Sequence, residues 1–198
     1  SSDLRKLPWR KKNNLNLPHP YFVFVSEYML QQTTVNTVKN KFNEFILKWP
    51  SLNKLAQTSE PNILKFWSGL GYYSRARNLL KSAKIIKNNF KNNIPQTYDE
   101  LIQLPGIGDY TAKAILGIGY NKSVMPLDAN IERILVRLHA IDKPINKVKN
   151  KLKDLGKKFI SDKYSSNLIQ SFMDYGSEIC LPRNPKCNIC GINKFCQS

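Results

Sequence analysis

The stretch LPGIGDYTAKAIL, Leu104 to Leu116, sets two glycines one residue apart and follows them with an acid, a tyrosine and a run of helix formers. Upstream lies TYDELIQL, where Thr97 and Glu100 form a capping box that opens a short helix ending before Pro105. A capped helix, a Pro-Gly-Ile-Gly turn and a second helix from about Asp109 make a helix-hairpin-helix. Gly106 and Gly108 are expected to supply positive φ and to let backbone approach something bulky, while the first N–H groups of the second helix point outward at one spot. Such a spot suits an anion. An ordinary tight turn between two helices would need the same glycines, so the motif gains meaning only from the rest of the chain.

Working outward, the remaining sequence is helical in pattern. PYFVFVSEYMLQQT is a dense apolar segment, and although YFVFV alone fits a strand, its length without turn residues predicts a buried helix. Val35, Val38, Phe42, Phe45 and Ile46 keep the three-and-four spacing of one helix face, and Pro50 closes that helix. The spacing recurs in SRARNLLKSAKIIKNNF, NIERILVRLHAI, INKVKNKLKDLGKKFI and SSNLIQSFMDYGSEIC. The expected fold is therefore all-α, about ten helices in two lobes.

The 198 residues carry 31 Lys and Arg against 14 Asp and Glu, a formal charge of +17 that favours a polyanion as partner. In a chain this basic the natural anion for the hairpin is a DNA phosphate, held without reading base sequence. A/T-rich coding sequence also enriches Lys and Asn, so charge alone does not decide. There is no long apolar run and no signal-peptide pattern, which predicts an intracellular protein with no membrane partner. Cys180, Cys187, Cys190 and Cys196 are the only cysteines and fall within one short C-terminal segment as C-x6-C-x2-C-x5-C. Clustered thiols in a reducing compartment are metal ligands more often than disulfides, and the spacing leaves zinc open.

Six motifs together, LPWR, VSEYMLQQTTVNTV, WSGLGYYSRARNL, LPGIGDYTAKAIL, PLDANIERILVRL and the four-cysteine segment, resemble the helix-hairpin-helix (endonuclease III-like) DNA glycosylase superfamily. Within it the chain is similar to the catalytic domain of the adenine DNA glycosylase (MutY) family. The resemblance implies a two-lobed fold: residues 20–126 as a six-helix-barrel lobe with the hairpin, and residues 1–19 with 127–198 as a second lobe. It implies that the cysteine loop, 180–196, binds a [4Fe–4S] cluster, with Arg183 and Lys186 as basic DNA contacts. It also implies a monomer acting on double-stranded DNA that contains a mispaired adenine, in cytoplasm or nucleoid for a bacterium and in nucleus or organelle for a eukaryote.

The chemistry falls on two carboxylates. Glu27 lies in an apolar run where burial would raise its pKa and keep a proton available, and the resemblance makes it the general acid that protonates the departing adenine. Asp128, by default an N-cap acid, corresponds to the family residue that stabilises the cationic sugar, and Asn130 to one that orients it. Tyr110 stands where bifunctional relatives carry the lysine that attacks the sugar. Tyrosine forms no imine, so the expectation is a monofunctional enzyme that leaves an abasic site. Lys113, one turn on, is expected to meet phosphate or solvent. The target base must leave the stack. Gln32 and Tyr72 match intruding residues, and Leu7, Arg10, Val35 and Gln170 match residues lining the base pocket. His19 and His139 are given no catalytic part.

Some features depart from the family pattern. KKNNLNLPHP lengthens the approach to Tyr21, and Ala129 replaces a common glycine. The C-terminal Nudix-like domain that checks for 8-oxoguanine is expected to be absent, and the start at Ser1 suggests an excised or processed domain. A thymine DNA glycosylase acting on T:G mismatches, with tyrosine at the same hairpin position, is the alternative of the same fold. A non-catalytic DNA-binding module is the alternative that needs neither carboxylate.

Overall fold

The computed structural model describes residues 5–161 and 163–198. Among them are ten α-helices and no β-strand, with a single isolated bridge joining Lys12 and Pro18. The all-α expectation holds. Contacts divide the chain into two units, Lys6–Tyr120 and a second containing Arg5 and Asn121–Ser198. Residues 6–19, expected with the C-terminal half, thus belong to the first unit. Their anchor is Trp9, buried in a short 3-10 turn with its ring 5.5 Å from Phe42 in an edge contact.

In the first unit, α1 (Pro20–Leu30) is the centrepiece. Every residue from Val23 to Met29 is buried, so the helix is covered all round, which explains why its sequence shows no polar face. His19 caps it by accepting from the Tyr21 N–H, and Pro20 sits where a missing donor costs nothing. Around it lie α2 (Val35–Lys48), α3 (Leu52–Ala56), α4 (Glu60–Trp67), α5 (Ser74–Asn89), α6 (Tyr98–Ile102) and α7 (Asp109–Ala114). Thr34, Ser51, Ser59 and Thr97 cap four of these through side-chain oxygens that accept backbone N–H groups. Helix α7 widens into a π-helical turn over Ile115–Gly119, entirely buried, with Gly119 against Pro20 of α1.

The second unit is built on α8 (Ala129–Leu138), α9 (Ile145–Lys157) and α10 (Ser165–Glu178). Helix α8 packs on both others; Ile131, Ile134 and Leu135 of α8, Val148 and Leu152 of α9 and Ile169 of α10 are all buried. The crossing of α8 and α10 is made possible by Gly176, where a Cβ would stand 2.5 Å from the Asn130 Cβ. The four cysteines follow α10 in a loop with two short 3-10 turns.

Candidate active site and nucleic-acid interface

Thr97 donates to the Glu100 carboxylate at 2.6 Å and accepts the Glu100 N–H, so the box predicted from sequence does cap α6. Gly106 adopts φ +81°, the left-handed region that needs glycine. A Cβ there would meet the Asn78 side chain at 2.9 and 3.0 Å and the Tyr28 ring at 3.1 Å. Gly108 departs from expectation: it is the N-cap of α7 with φ −104°, a value open to any residue, and a Cβ there meets nothing within 4 Å. The Gly108 N-cap gives α7 no side-chain cap, and the space beside it is open. Lys113, expected to meet phosphate or solvent, instead forms an ion pair with Asp109 at 2.7 Å, one turn back. Tyr98 donates to the same carboxylate at 2.9 Å. Tyr110, half-buried, is the second residue of α7.

The turn is fastened to α1. The Tyr28 hydroxyl donates to the Pro105 carbonyl at 2.5 Å, Ser82 donates to it at 3.1 Å, and Gln31 donates to the Gly106 carbonyl at 3.2 Å. Glu27, next to Tyr28, is buried at 7% exposure, as the apolar run around it predicts. Gln32 follows the end of α1 with φ +54° and Tyr72 precedes α5 with φ +44°; both side chains are exposed. Left-handed backbone at a non-glycine residue is strained, and strain of this kind gathers at sites that grip ligands. Leu7 caps the 3-10 turn of Trp9, Arg10 closes it, and Val35 opens α2, all three half-buried.

In the second unit Asp128 is the N-cap of α8. One carboxylate oxygen accepts the Ile131 N–H at 2.7 Å and the other accepts from the Asn130 amide at 3.3 Å. Burial pushes its pKa up, while those hydrogen bonds and the Arg133 charge pull it back part of the way. Asn130 in turn accepts from Arg133 at 2.8 Å, and the same guanidinium donates to the carbonyls of Cys180, at 2.8 Å, and Gly176, at 2.5 Å. Gln170 is buried on α10 and donates within its own helix, to the Ser166 carbonyl at 2.9 Å and hydroxyl at 3.2 Å.

All four cysteines are free thiols and line one cavity of about 200 Å³ together with Ile134, Tyr175 and Ile192. Among the described residues no three Cys, His, Asp or Glu side chains converge as ligands of a single ion. Tyr175 donates to the Cys190 sulfur at 3.0 Å and Arg137 to the Cys180 sulfur at 3.4 Å, donors that favour the thiolate a cluster requires. Arg137 also binds the Leu181 and Pro182 carbonyls at 2.7 and 3.0 Å. Arg183 and Lys186 are exposed on the loop.

Arg75 has no counterpart in the reading of the sequence. It is 5% exposed, and its guanidinium donates to five backbone carbonyls: those of Tyr28, Met29, Gln31, Leu70 and Gly71. Only the run of two arginines in SRARNL hinted at it, and charge in a helical pattern ordinarily means solvent.

A four-cysteine loop, an uncapped hairpin helix and a positioned N-cap carboxylate on an all-α frame agree with the family match. Residues 25–158 match the HhH-GPD superfamily base excision DNA repair proteins, and the chain belongs to that family. It is 44% identical over 195 residues to an adenine DNA glycosylase of Buchnera aphidicola subsp. Baizongia pistaciae, covering 98% of this chain and 54% of that one. It is 36% identical over 200 residues to the adenine DNA glycosylase of Homo sapiens, covering 98% and 37%. The chain thus spans about half the length, or less, of these curated relatives. Among solved structures, a thermostable thymine-DNA glycosylase matches with TM-score 0.87 and 27% identity over 99% of this chain and 89% of that one. A non-covalent endonuclease III–DNA complex, 21% identical, matches with TM-score 0.74 over 90% and 83%, a likeness of fold. No described helix is long and apolar enough to cross a membrane.

Proposed function

We propose that this chain is a monofunctional DNA glycosylase that hydrolyses the N-glycosidic bond of adenine mispaired with 8-oxoguanine or guanine and leaves an abasic site. The observation that carries the reading is the setting of Asp128, a carboxylate capped, oriented by Asn130 and shifted upward by burial. A carboxylate held this way suits the positive charge that builds on the sugar as the base departs. Glu27, buried in α1, delivers its proton to the adenine ring so that the base leaves neutral. Water then adds to the sugar carbon and returns a proton to a carboxylate. Tyr110 offers no amine, so no imine forms and the strand stays whole.

The hairpin supplies the phosphate grip, through the N-terminal end of the helix beyond Gly106 and Gly108. Gln32 and Tyr72 take the intruding roles, and Leu7, Arg10, Val35 and Gln170 contact the extruded base. Cys180, Cys187, Cys190 and Cys196 would hold a [4Fe–4S] cluster: thiols spread around a cavity suit a polynuclear group better than one ion. When bound, such a cluster would order the loop that carries Arg183 and Lys186, and it would take no part in base release. The protein works intracellularly as a monomer on duplex DNA.

Adenine as the target rests on relatives named for that base at 32–44% identity over nearly the whole chain. The likeness to the thymine enzyme in overall structure favours thymine opposite guanine as the second reading. Single-turnover base release on duplexes with A opposite 8-oxoguanine, A opposite G and T opposite G, with and without alkali, tests both. Adenine release with breaks only after alkali supports the proposal. Thymine release replaces it with the second reading, and breaks without alkali overturn the role given to Tyr110.

A further inference from the structure

Gln32 and Tyr72 stand on separate loops, yet one side chain holds the backbone beside both. Arg75 enters from the first turn of α5 and lies between the end of α1 and the 68–73 loop. Its Nη1 donates to the Met29 carbonyl at 2.7 Å, to Tyr28 at 3.3 Å and to Gln31 at very short range. These include last-turn carbonyls of α1, which have no partner inside the helix and which a cation at the C-terminus stabilises. Its Nη2 donates to Leu70 at 2.8 Å and Gly71 at 3.2 Å. The guanidinium carbon lies 5.5 Å from the centre of the Tyr72 ring and 5.7 Å from that of Trp67. Trp67 itself donates to the Gly71 carbonyl at 3.1 Å.

All five polar partners are backbone carbonyls, and Nε is buried with no acceptor. Burying a cation without a carboxylate and leaving one of its donors unmet is costly, so the arrangement persists only where the surroundings over-determine it. What it fixes is specific: the backbone of Gln31 and Gly71, the residues immediately before Gln32 and Tyr72, which are two of the eight described non-glycine positions with left-handed backbone.

We infer that Arg75 is a positioning residue that locks the Gln32 and Tyr72 loops in register with each other, so that both side chains reach the duplex together when the base is extruded. The inference rests on the glycosylase reading above. Lysine cannot substitute, because a point charge with three donors does not span carbonyls on two loops as a planar fork does.

The test is a double-mutant cycle on the full, cluster-loaded protein, using Arg75→Lys, Tyr72→Ala and the two combined, with Arg75→Gln as a second replacement. Single-turnover adenine release is read at saturating enzyme, beside affinity for a fully paired duplex and far-ultraviolet circular dichroism. Arg75→Lys is expected to slow base release by ~10²-fold, the scale of a small misplacement of reacting groups. Affinity for the fully paired duplex stays unchanged, because the hairpin is held by Tyr28 and Gln31 instead. The combined variant is expected to be slowed by clearly less than the product of the two single slowdowns, since the arginine acts in part through the Tyr72 loop and in part through the Gln32 loop. Slowdowns that add overturn the inference, and so does failure of both Arg75 variants to fold, which makes the residue a stability element. Wild-type protein that releases neither adenine nor thymine refutes the functional reading; an active wild type with an additive cycle refutes the clamp alone.

Discussion

Alanine at Gly106 and alanine at Gly108 should damage the protein in opposite ways, although the two glycines sit one residue apart. At Gly106 the backbone is left-handed, which costs an alanine about 1–2 kcal/mol. The new methyl also lands 2.9–3.1 Å from Asn78 and the Tyr28 ring. The amide of Asn78 can swing aside, but its Cβ cannot, and the Tyr28 ring is pinned by its hydroxyl on the Pro105 carbonyl. Overpacking of that order adds ~1–3 kcal/mol, and the lower freedom of an unfolded alanine returns about 0.4–1 kcal/mol. The net loss is about 2–4 kcal/mol, which for a chain of this size lowers Tm by about 4–16 °C. At Gly108 there is neither a left-handed φ nor a neighbour within 4 Å. The unfolded-state gain of alanine there offsets its poorer N-capping, and stability should move by less than ~1 kcal/mol. Its methyl would instead stand where a phosphate approaches the helix N–H groups. Losing one charge-assisted hydrogen bond, ~1.5–3 kcal/mol, weakens DNA binding about tenfold or more. Thermal unfolding by circular dichroism and anisotropy titration with an undamaged duplex measure the two effects. Gly108→Ala that binds DNA like wild type, or that unfolds as early as Gly106→Ala, refutes this account of the hairpin.

Three further outcomes are expected. Asp128→Asn keeps the N-cap and should slow base release by about 10²–10³-fold in single-turnover assays, the range for removing one preorganised electrostatic group. Because burial raises the folded pKa of Asp128 above its ordinary value, its stabilising contribution is complete below the unfolded pKa and is lost as pH rises through the folded one. Denaturation from acidic to neutral pH should therefore show Asp128→Asn lacking that decline, and an equal decline in both proteins would contradict the burial effect. The acid limb of the wild-type rate profile should lie above the titration of an exposed aspartate. Gly176→Ala forces a Cβ to 2.5 Å from that of Asn130 and should destabilise by ~1–3 kcal/mol while depressing base release, read by denaturant midpoint and single-turnover rate. Tyr175→Phe removes the donor to the Cys190 sulfur and, in protein loaded with the proposed cluster, should make its potential more negative by voltammetry, since sulfur hydrogen bonds favour the reduced state.

Sequence pattern was most informative where a single local rule governs the structure. The Thr97–Glu100 box, the three-and-four spacing of α2 and α5, and the acid ahead of α8 each depend on neighbours a few residues away. The burial of Glu27 and the N-cap position of Asp128 follow from their immediate neighbours, whereas the roles proposed for them and for the four cysteines come from the family resemblance. Gly108 was misjudged because a glycine in sequence does not reveal whether its torsion or its emptiness matters. Periodicity in residues 6–19 does not encode the ring contact by which Trp9 meets Phe42 within the Lys6–Tyr120 unit. Arg75 was invisible for a related reason: its partners are backbone carbonyls on two distant segments, and a carbonyl carries no residue identity. Gly176 carries no signal in the sequence, because what requires glycine there is Asn130, on another helix.

Arg5 belongs to the same unit as Asn121–Ser198, and its bond is specific: its backbone N–H and its Nε both donate to Asp174, at 2.9 and 2.5 Å. The partners are separated by 169 positions, and the whole Lys6–Tyr120 unit is strung between them. During synthesis Arg5 leaves the ribosome among the earliest of these residues and waits for Asp174, which at usual translation rates takes on the order of ten seconds or more. The intervening unit, whose core helices are complete by Tyr120, can collapse in that interval. The C-terminal helices then complete their own unit by capturing a residue made 169 positions earlier, so the cysteine-bearing unit can close only after the whole hairpin-bearing unit has been synthesised.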